Sequence, residues 1–203
     1  MIRLLVICSL FQLHWGCSIG ELDFAFLLYG SCVKGELSAN SKTSFIRCLN
    51  PYISQLDPKL HTFEYVRQRS PFLLTAILAA SSKAFHPGLH PTLRSHTENL
   101  LGKAFAKGTK SVETVQAILI FTYWKEPDEI RTWLLVGYAI RMCIELGWHE
   151  LVPVARKATT TSDEIAIREA RNVERTWLVL FVYDRRFVAS HDQTTFTRLT
   201  YIV

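Results

Sequence analysis

The stretch from Ser70 to Ala80, SPFLLTAILAA, constrains this chain more than any other. Serine followed by proline opens a helix, because the hydroxyl can accept from the unsatisfied first-turn amides and proline fits that turn without losing a needed donor. From Phe72 to Ala80 the helix is then apolar nearly all round, and Ala76, Ala79 and Ala80 let neighbouring helices approach closely. It has no side for water, yet falls far short of the roughly 18 to 20 apolar residues that cross a bilayer. Such a helix has to be wrapped by other elements, and it is read as a buried central helix.

The wrapping elements also read as helices. Phe45, Ile46, Leu49 and Ile53 recur at helical spacing between Ser41 and Ser54, with Pro51 kinking or ending that segment. A short helix or irregular stretch follows over Leu60 to Val66. Pro91 opens a surface helix with Leu93, Leu100, Leu101, Ala104 and Phe105 on one stripe and Gly108 as its stop. Ser111 caps a helix whose Val112, Val115, Ile118 and Leu119 face inward before it merges into Ile120-Phe121. After the Pro127-Asp128 break, Glu129 to Leu146 carries the longest pattern, with Ile130, Trp133, Leu134, Ile140, Cys143 and Ile144 apolar and Gly147 as the stop.

Residues 152–162, with Pro153 and three threonines, read as a loop. Thr161 and Glu164 then form a capping box for a last helix running to about Arg185. Apart from a short strand at Leu199 to Val203, alternating runs bounded by hairpin turns are missing. The fold predicted is all-α, an irregular multi-helix bundle of antiparallel helical hairpins, incomplete at the C-terminus.

Composition bounds the function. With 49% apolar and 20% charged residues in 203, the chain has the profile of a globular protein with one domain as the default. A net charge of +5 would permit a polyanionic partner, but the basic residues are dispersed and suit solvated helix faces better than a nucleic-acid patch. Cys8, Cys17, Cys32, Cys48 and Cys143 stand too far apart for a redox pair or a zinc knuckle. Residues 1–40 differ in kind: their charges are Arg3, Glu21, Asp23, Lys34 and Glu36 alone. Arg3, the apolar run after it and Gly16-Cys17-Ser18 outline a secretory signal over residues 1–20, although Gln12, His14 and Trp15 interrupt that outline.

Nucleotide-binding glycine loops, nucleophile elbows and metalloprotease motifs are missing from the sequence. Asp128-Glu129 and Asp163-Glu164 read as acids favoured at helix N-termini. The unusual enrichment is in tryptophan: Trp124, Trp133, Trp148 and Trp177 either lock the core or line a pocket for an apolar ligand.

Five stretches, taken in order, resemble the fungal-specific transcription factor domain, the middle homology region of fungal zinc binuclear cluster regulators. Ser70-Pro71-Phe72-Leu73-Leu74 with Ala76 to Ala80 is similar to its opening helix, and His96 with Leu100 to its second. Ser111-Val112-Glu113, Val115-Gln116-Ala117 and Tyr123-Trp124 resemble its third. Arg131, Trp133, Gly137, Ala139 to Met142 and Leu146-Gly147 resemble its most recognisable stretch, and Arg171, Glu174 to Trp177 and Asp184-Arg185 its later arginine-tryptophan helix. Each motif alone is weak; five in the same order are specific.

The resemblance covers residues 45–185. It divides the chain into an apolar or signal-like segment (1–40), the regulatory domain (41–187) and a divergent tail (188–203). It implies a nuclear transcription regulator, without catalysis or a cofactor of its own. The implied partners are other transcription factor subunits or the transcription machinery, a small-molecule effector and a second copy of the chain. DNA would be reached only through a zinc cluster, which needs six closely paired cysteines that this chain lacks. Trp124, Arg131, Trp133, Arg141 and Trp177 are the candidate regulatory or effector-pocket residues. The competing expectation, motivated by residues 1–20, is a secreted or membrane-associated helical protein without catalytic activity.

Overall fold

The computed structural model describes residues 44–150 and 161–191, with side-chain surroundings over 44–150 and 163–185. Every regular element among them is a helix and none is a strand, so the all-α expectation holds. The signal-like segment, most of the 152–162 loop and the strand expected at Leu199 to Val203 lie outside the described residues.

A π-helical turn, Phe45–Leu49, leads into the short helix α1, Asn50–Ile53. One continuous pattern over 41–54 is thus split at Pro51. The proline has no amide to give the carbonyl four residues back, and the backbone ahead of it takes the wider register instead. The turn closes on Ser54, whose φ of 48° is left-handed. Helix α2, Phe63–Arg69, starts where the Thr62 hydroxyl accepts from the Tyr65 amide at 3.2 Å.

The central helix α3 is Pro71–Phe85, and the Ser70 hydroxyl accepts from the Leu73 amide at 3.1 Å as its cap. Everything from Phe72 to Ser82 is buried. Its buried hydroxyls turn back on their own helix, Thr75 donating to the Pro71 carbonyl at 2.8 Å and Ser82 to that of Ala79 at 2.8 Å. Loss of the cap in Ser70→Ala is expected to destabilise the chain by about 1 kcal/mol. A lower urea midpoint with an unchanged slope is the result that checks it.

Helix α4, His90–Ala106, ends at Gly108, where φ is 61°. The amides of Gly108 and Thr109 return to the carbonyls of Phe105 and Ala104, a left-handed cap that a side chain would strain. Helix α5, Val112–Tyr123, is capped by the Ser111 hydroxyl on the Thr114 amide at 3.1 Å. Helix α6, Thr132–Glu145, stops before Gly147 (φ 72°), and the long α7, Thr161–His191, completes the described elements.

Helix α3 packs against α2, α4 and α5, while α5 also packs against α6 and α7. The core therefore sits around α3 and α5, with Leu73, Ile77, Val115, Ile118 and, from α7, Leu180 fully buried.

Two stripes differ from the sequence pattern. On α6 the buried line is Thr132, Val136, Ala139, Met142 and Cys143, whereas Ile130 is 90% and Leu134 72% exposed. The helix begins three residues later than its apolar pattern, and a segment apolar on most sides does not say which side turns inward. On α4, Phe105 points outward against the Tyr138 ring, and Thr97 takes the buried position with its hydroxyl on the Leu93 carbonyl.

Candidate functional site

The five residues singled out from the sequence fall in four places. Trp124 caps the end of α5, and its carbonyl and that of Lys125 accept from Lys83 Nζ at 3.3 and 2.7 Å. Arg131 precedes the first residue of α6. Trp133 and Arg141 lie along α6, the first half-buried and the second exposed. Trp177 lies mid-way along α7, half-buried against the core.

Trp124 and Arg131 are linked through an ion cluster that ties α3 and α4 to the α5–α6 connection. Glu126 pairs with Lys83 at 3.0 Å and with His90 Nε2 at 2.8 Å, and the other His90 nitrogen faces the Ala79 carbonyl at 2.9 Å. Arg94 reaches Glu129 at 2.8 Å and Glu98 at 3.5 Å. Arg131 meets the same two acids, Glu129 through its backbone amide (2.9 Å) and guanidinium, and Glu98 at 2.7 Å. Arg94 and Arg131 both lie over the Phe121 ring.

Glu129 is thus not simply an acid at a helix start. Its carboxylate is the buried hub of the cluster, held down to about 2 chiefly by the Arg131 hydrogen bonds. Lys83 and His90 likewise hold Glu126 below the usual carboxylate range, against the effect of burial.

A second polar group sits in the core itself. Gln116 is fully buried on α5 and donates from Nε2 to Asn172 Oδ1 at 2.9 Å and to Thr176 Oγ1 at 3.1 Å, joining α5 to α7. Replacing Gln116 with leucine is expected to cost about 2 kcal/mol despite the gain in apolarity, because the Asn172 oxygen loses its donor. Urea unfolding of the variant measures that loss. Little in the sequence signalled it: Gln116 lies off the inward stripe of Val112, Val115, Ile118 and Leu119, and its partners stand 56 and 60 residues away.

The third feature is an apolar cleft of about 210 Å³ bounded by α1 and the loop after it, α5 and α7. Tyr52, Ile53 and Gln55 form one wall; Leu119 and Tyr123 come from α5; Leu178, Val182 and Tyr183 come from α7. The Asn50 side chain fixes the loop by gripping Leu56 at both ends, donating to its carbonyl at 2.8 Å and accepting from its amide at 2.9 Å. Arg168 on α7 anchors the same loop through Asp57 at 3.0 Å, and the Tyr183 hydroxyl donates to the Thr122 carbonyl at 3.1 Å. None of the five residues chosen from the sequence lines this cleft.

Little here suits covalent or metal chemistry. Burial pushes the Cys143 thiol up to about 12, so it stays a protonated apolar side chain. Among the described residues no group of three or more His, Cys, Asp or Glu could hold a metal ion, and no helix is long and apolar enough to cross a membrane. The residues present do not fit a binuclear zinc cluster: Cys48 is exposed, Cys143 is buried, and the chain has only five cysteines.

The described residues thus form a helical core crossed by two polar clusters, with an apolar cleft beside it. The chain belongs to the fungal specific transcription factor domain family, whose model matches residues 44–201. It is similar to Protein priB of Lentinula edodes, with 42% identity over 143 residues, which is 70% of this chain and 22% of that protein. The chain therefore spans about a fifth of the length of this curated relative. No solved structure matches it. The family is one of transcription regulators and is not catalytic.

Proposed function

We propose that this chain is the regulatory region of a fungal zinc-cluster-type transcription factor, acting in the nucleus through protein or effector contacts and catalysing no reaction. The observation that carries the reading is the family match over residues 44–201, whose ordered motifs fall on α3, α4, α5, α6 and α7 in turn. The partners proposed are other transcription factor subunits, the transcription machinery or a second copy. DNA is reached through a zinc cluster that these residues do not supply, and the chain carries no cofactor of its own. Trp124, Arg131, Trp133, Arg141 and Trp177 remain the residues proposed for regulatory contacts. The exposed Leu134 beside Trp133, with the exposed Ile130 just ahead of α6, gives this end of the helix an apolar outer side that supports the proposal for Trp133.

The test is to tether residues 41–203 to an unrelated DNA-binding module and read a reporter gene in a fungal cell. A several-fold change in reporter output, up or down, relative to the module alone is expected. Output indistinguishable from the module alone, with the fusion present at normal levels, counts against the proposal.

A further inference from the structure

Helix α6 leaves one of its sides uncovered. Trp133, Leu134, Gly137, Ile140, Arg141 and Ile144 recur at three- and four-residue steps, so they share one stripe, turned away from the buried line of Val136, Ala139 and Cys143. None of the six is buried, and Leu134 is 72% and Ile144 48% exposed. Ile130, just ahead of the helix, is 90% exposed.

The stripe reads alike in both directions. Counted outward from Gly137, Leu134 matches Ile140 three residues away, Trp133 matches Arg141 four away, and Ile130 matches Ile144 seven away. In a closed two-fold contact, residue i of one copy meets j of the other, and j meets i. For two antiparallel helices the residues that meet lie equally far from the axis on opposite sides. An axis at Gly137 therefore sets Leu134 on Ile140 of the second copy, the Trp133 ring beside Arg141 of the second copy, and Ile130 near its Ile144. Two of these rungs join apolar groups; the other joins a guanidinium to an indole face, which attract each other. No rung brings like charges together.

Gly137 itself is a second observation. Glycine is disfavoured in a helix interior, so its presence there needs a reason. Packing among the described residues supplies none, since a Cβ built at this position meets only Nη1 of Arg141, at 3.3 Å, the far end of a flexible side chain. A bare backbone at the centre of an exposed stripe does let another helix come close.

We propose that this stripe joins two copies of the chain, α6 against α6, antiparallel about a two-fold axis at Gly137. The occupant is a second copy because only a copy presents the same pattern reversed. The contact offers far fewer residues than the roughly 20–30 a side of a standard interface, so the dimer is weak, with a Kd of about 10–100 μM. The inference deepens the regulatory reading, in which a second copy is one of the partners, and rests on it only for its effect in transcription. Association is read on the purified chain, so its failure is distinguishable from failure of the reporter test.

The experiment is sedimentation equilibrium of the 203-residue chain beside Leu134→Glu and, as a control, Leu178→Glu, an exposed leucine on α7. Over about 1 to about 300 μM the native chain is expected to pass from monomer to dimer. Leu134→Glu is expected to weaken association about tenfold or more, because each copy would bury an unpaired carboxylate in the contact, whereas Leu178→Glu leaves it unchanged. Circular dichroism and urea midpoints establish that each variant is folded. The register is read from Gly137→Cys, oxidised, digested and analysed by mass spectrometry: a disulfide linking position 137 to itself across the two copies is expected. A monomer throughout, an assembly larger than two, a dimer insensitive to Leu134→Glu, an equal loss in Leu178→Glu, or a dimer without the link at 137 overturns the proposal.

Discussion

Ile77→Ala is expected to lower the free energy of unfolding by about 3–4 kcal/mol. Ile77 is fully buried on α3, where helices pack from several sides and leave no room to collapse into the space vacated. The loss combines the transfer free energy of the deleted methyl groups with the cavity they leave, whereas Ile77→Val at the same site should cost only about 1 kcal/mol. Against a typical total of about 5–15 kcal/mol, the alanine variant is left with a much reduced margin. Urea unfolding followed by far-ultraviolet circular dichroism checks both values. Equal losses for valine and alanine would mean that α3 is less tightly enclosed than its burial indicates.

Removal of the Glu129 carboxylate comes next. Glu129→Ala leaves Arg94, whose side chain is 19% exposed, and Arg131, 44% exposed, without their shared partner. A fully buried pair broken this way costs about 3–5 kcal/mol, and because these arginines can partly rehydrate, about 2–3 kcal/mol is expected here. The carboxylate also carries a pH signature. Its pKa is depressed in the folded state to about 2 from an ordinary 4.5, so its contribution is complete above pH 4.5 and is lost as pH falls through about 2. Allowing for screening by solvent, that contribution is about 2 kcal/mol. Glu126 and Asp57, both lowered, act in the same direction. Stability measured from pH 6 down to pH 2 should therefore fall less steeply in Glu129→Gln than in the native chain.

How far the sequence foretold this molecule varies by element. The enclosed position of α3 was legible because Phe72 to Ala80 has no polar side, and the caps at Ser70 and Ser111 because a hydroxyl three residues ahead of an amide is a local arrangement. The orientation of α6 was not. Ile130 and Leu134 repeat at helical spacing and yet face water while Val136, Ala139, Met142 and Cys143 turn inward, because a segment apolar on most sides leaves its inward side to be set by packing. The role of Glu129 was hidden for the same reason: Arg94 lies 35 residues away, and only the packing of α4 on the rest of the core brings it there.

The cleft was the least legible feature. It is assembled from residues near positions 52–55, 119–123 and 178–183, no two of which share a motif. Gln55 gave no signal because a glutamine in a short connecting segment ordinarily faces solvent, and its burial depends on the grip of Asn50 on Leu56. The tryptophans drew attention by their number, but Trp124, Trp148 and Trp177 pack on the core and none of the four lines the cleft.

Amide hydrogen exchange, read by mass spectrometry helix by helix, tests most directly the claim that an assembly of helices centred on α3 and α5 carries this domain. The account predicts that amides of α3 and α5 exchange only through global unfolding, more slowly than those on the exposed side of α6, with a circular dichroism spectrum that is helical throughout. Exchange in α3 as fast as on that exposed side, or a spectrum dominated by sheet, would contradict it.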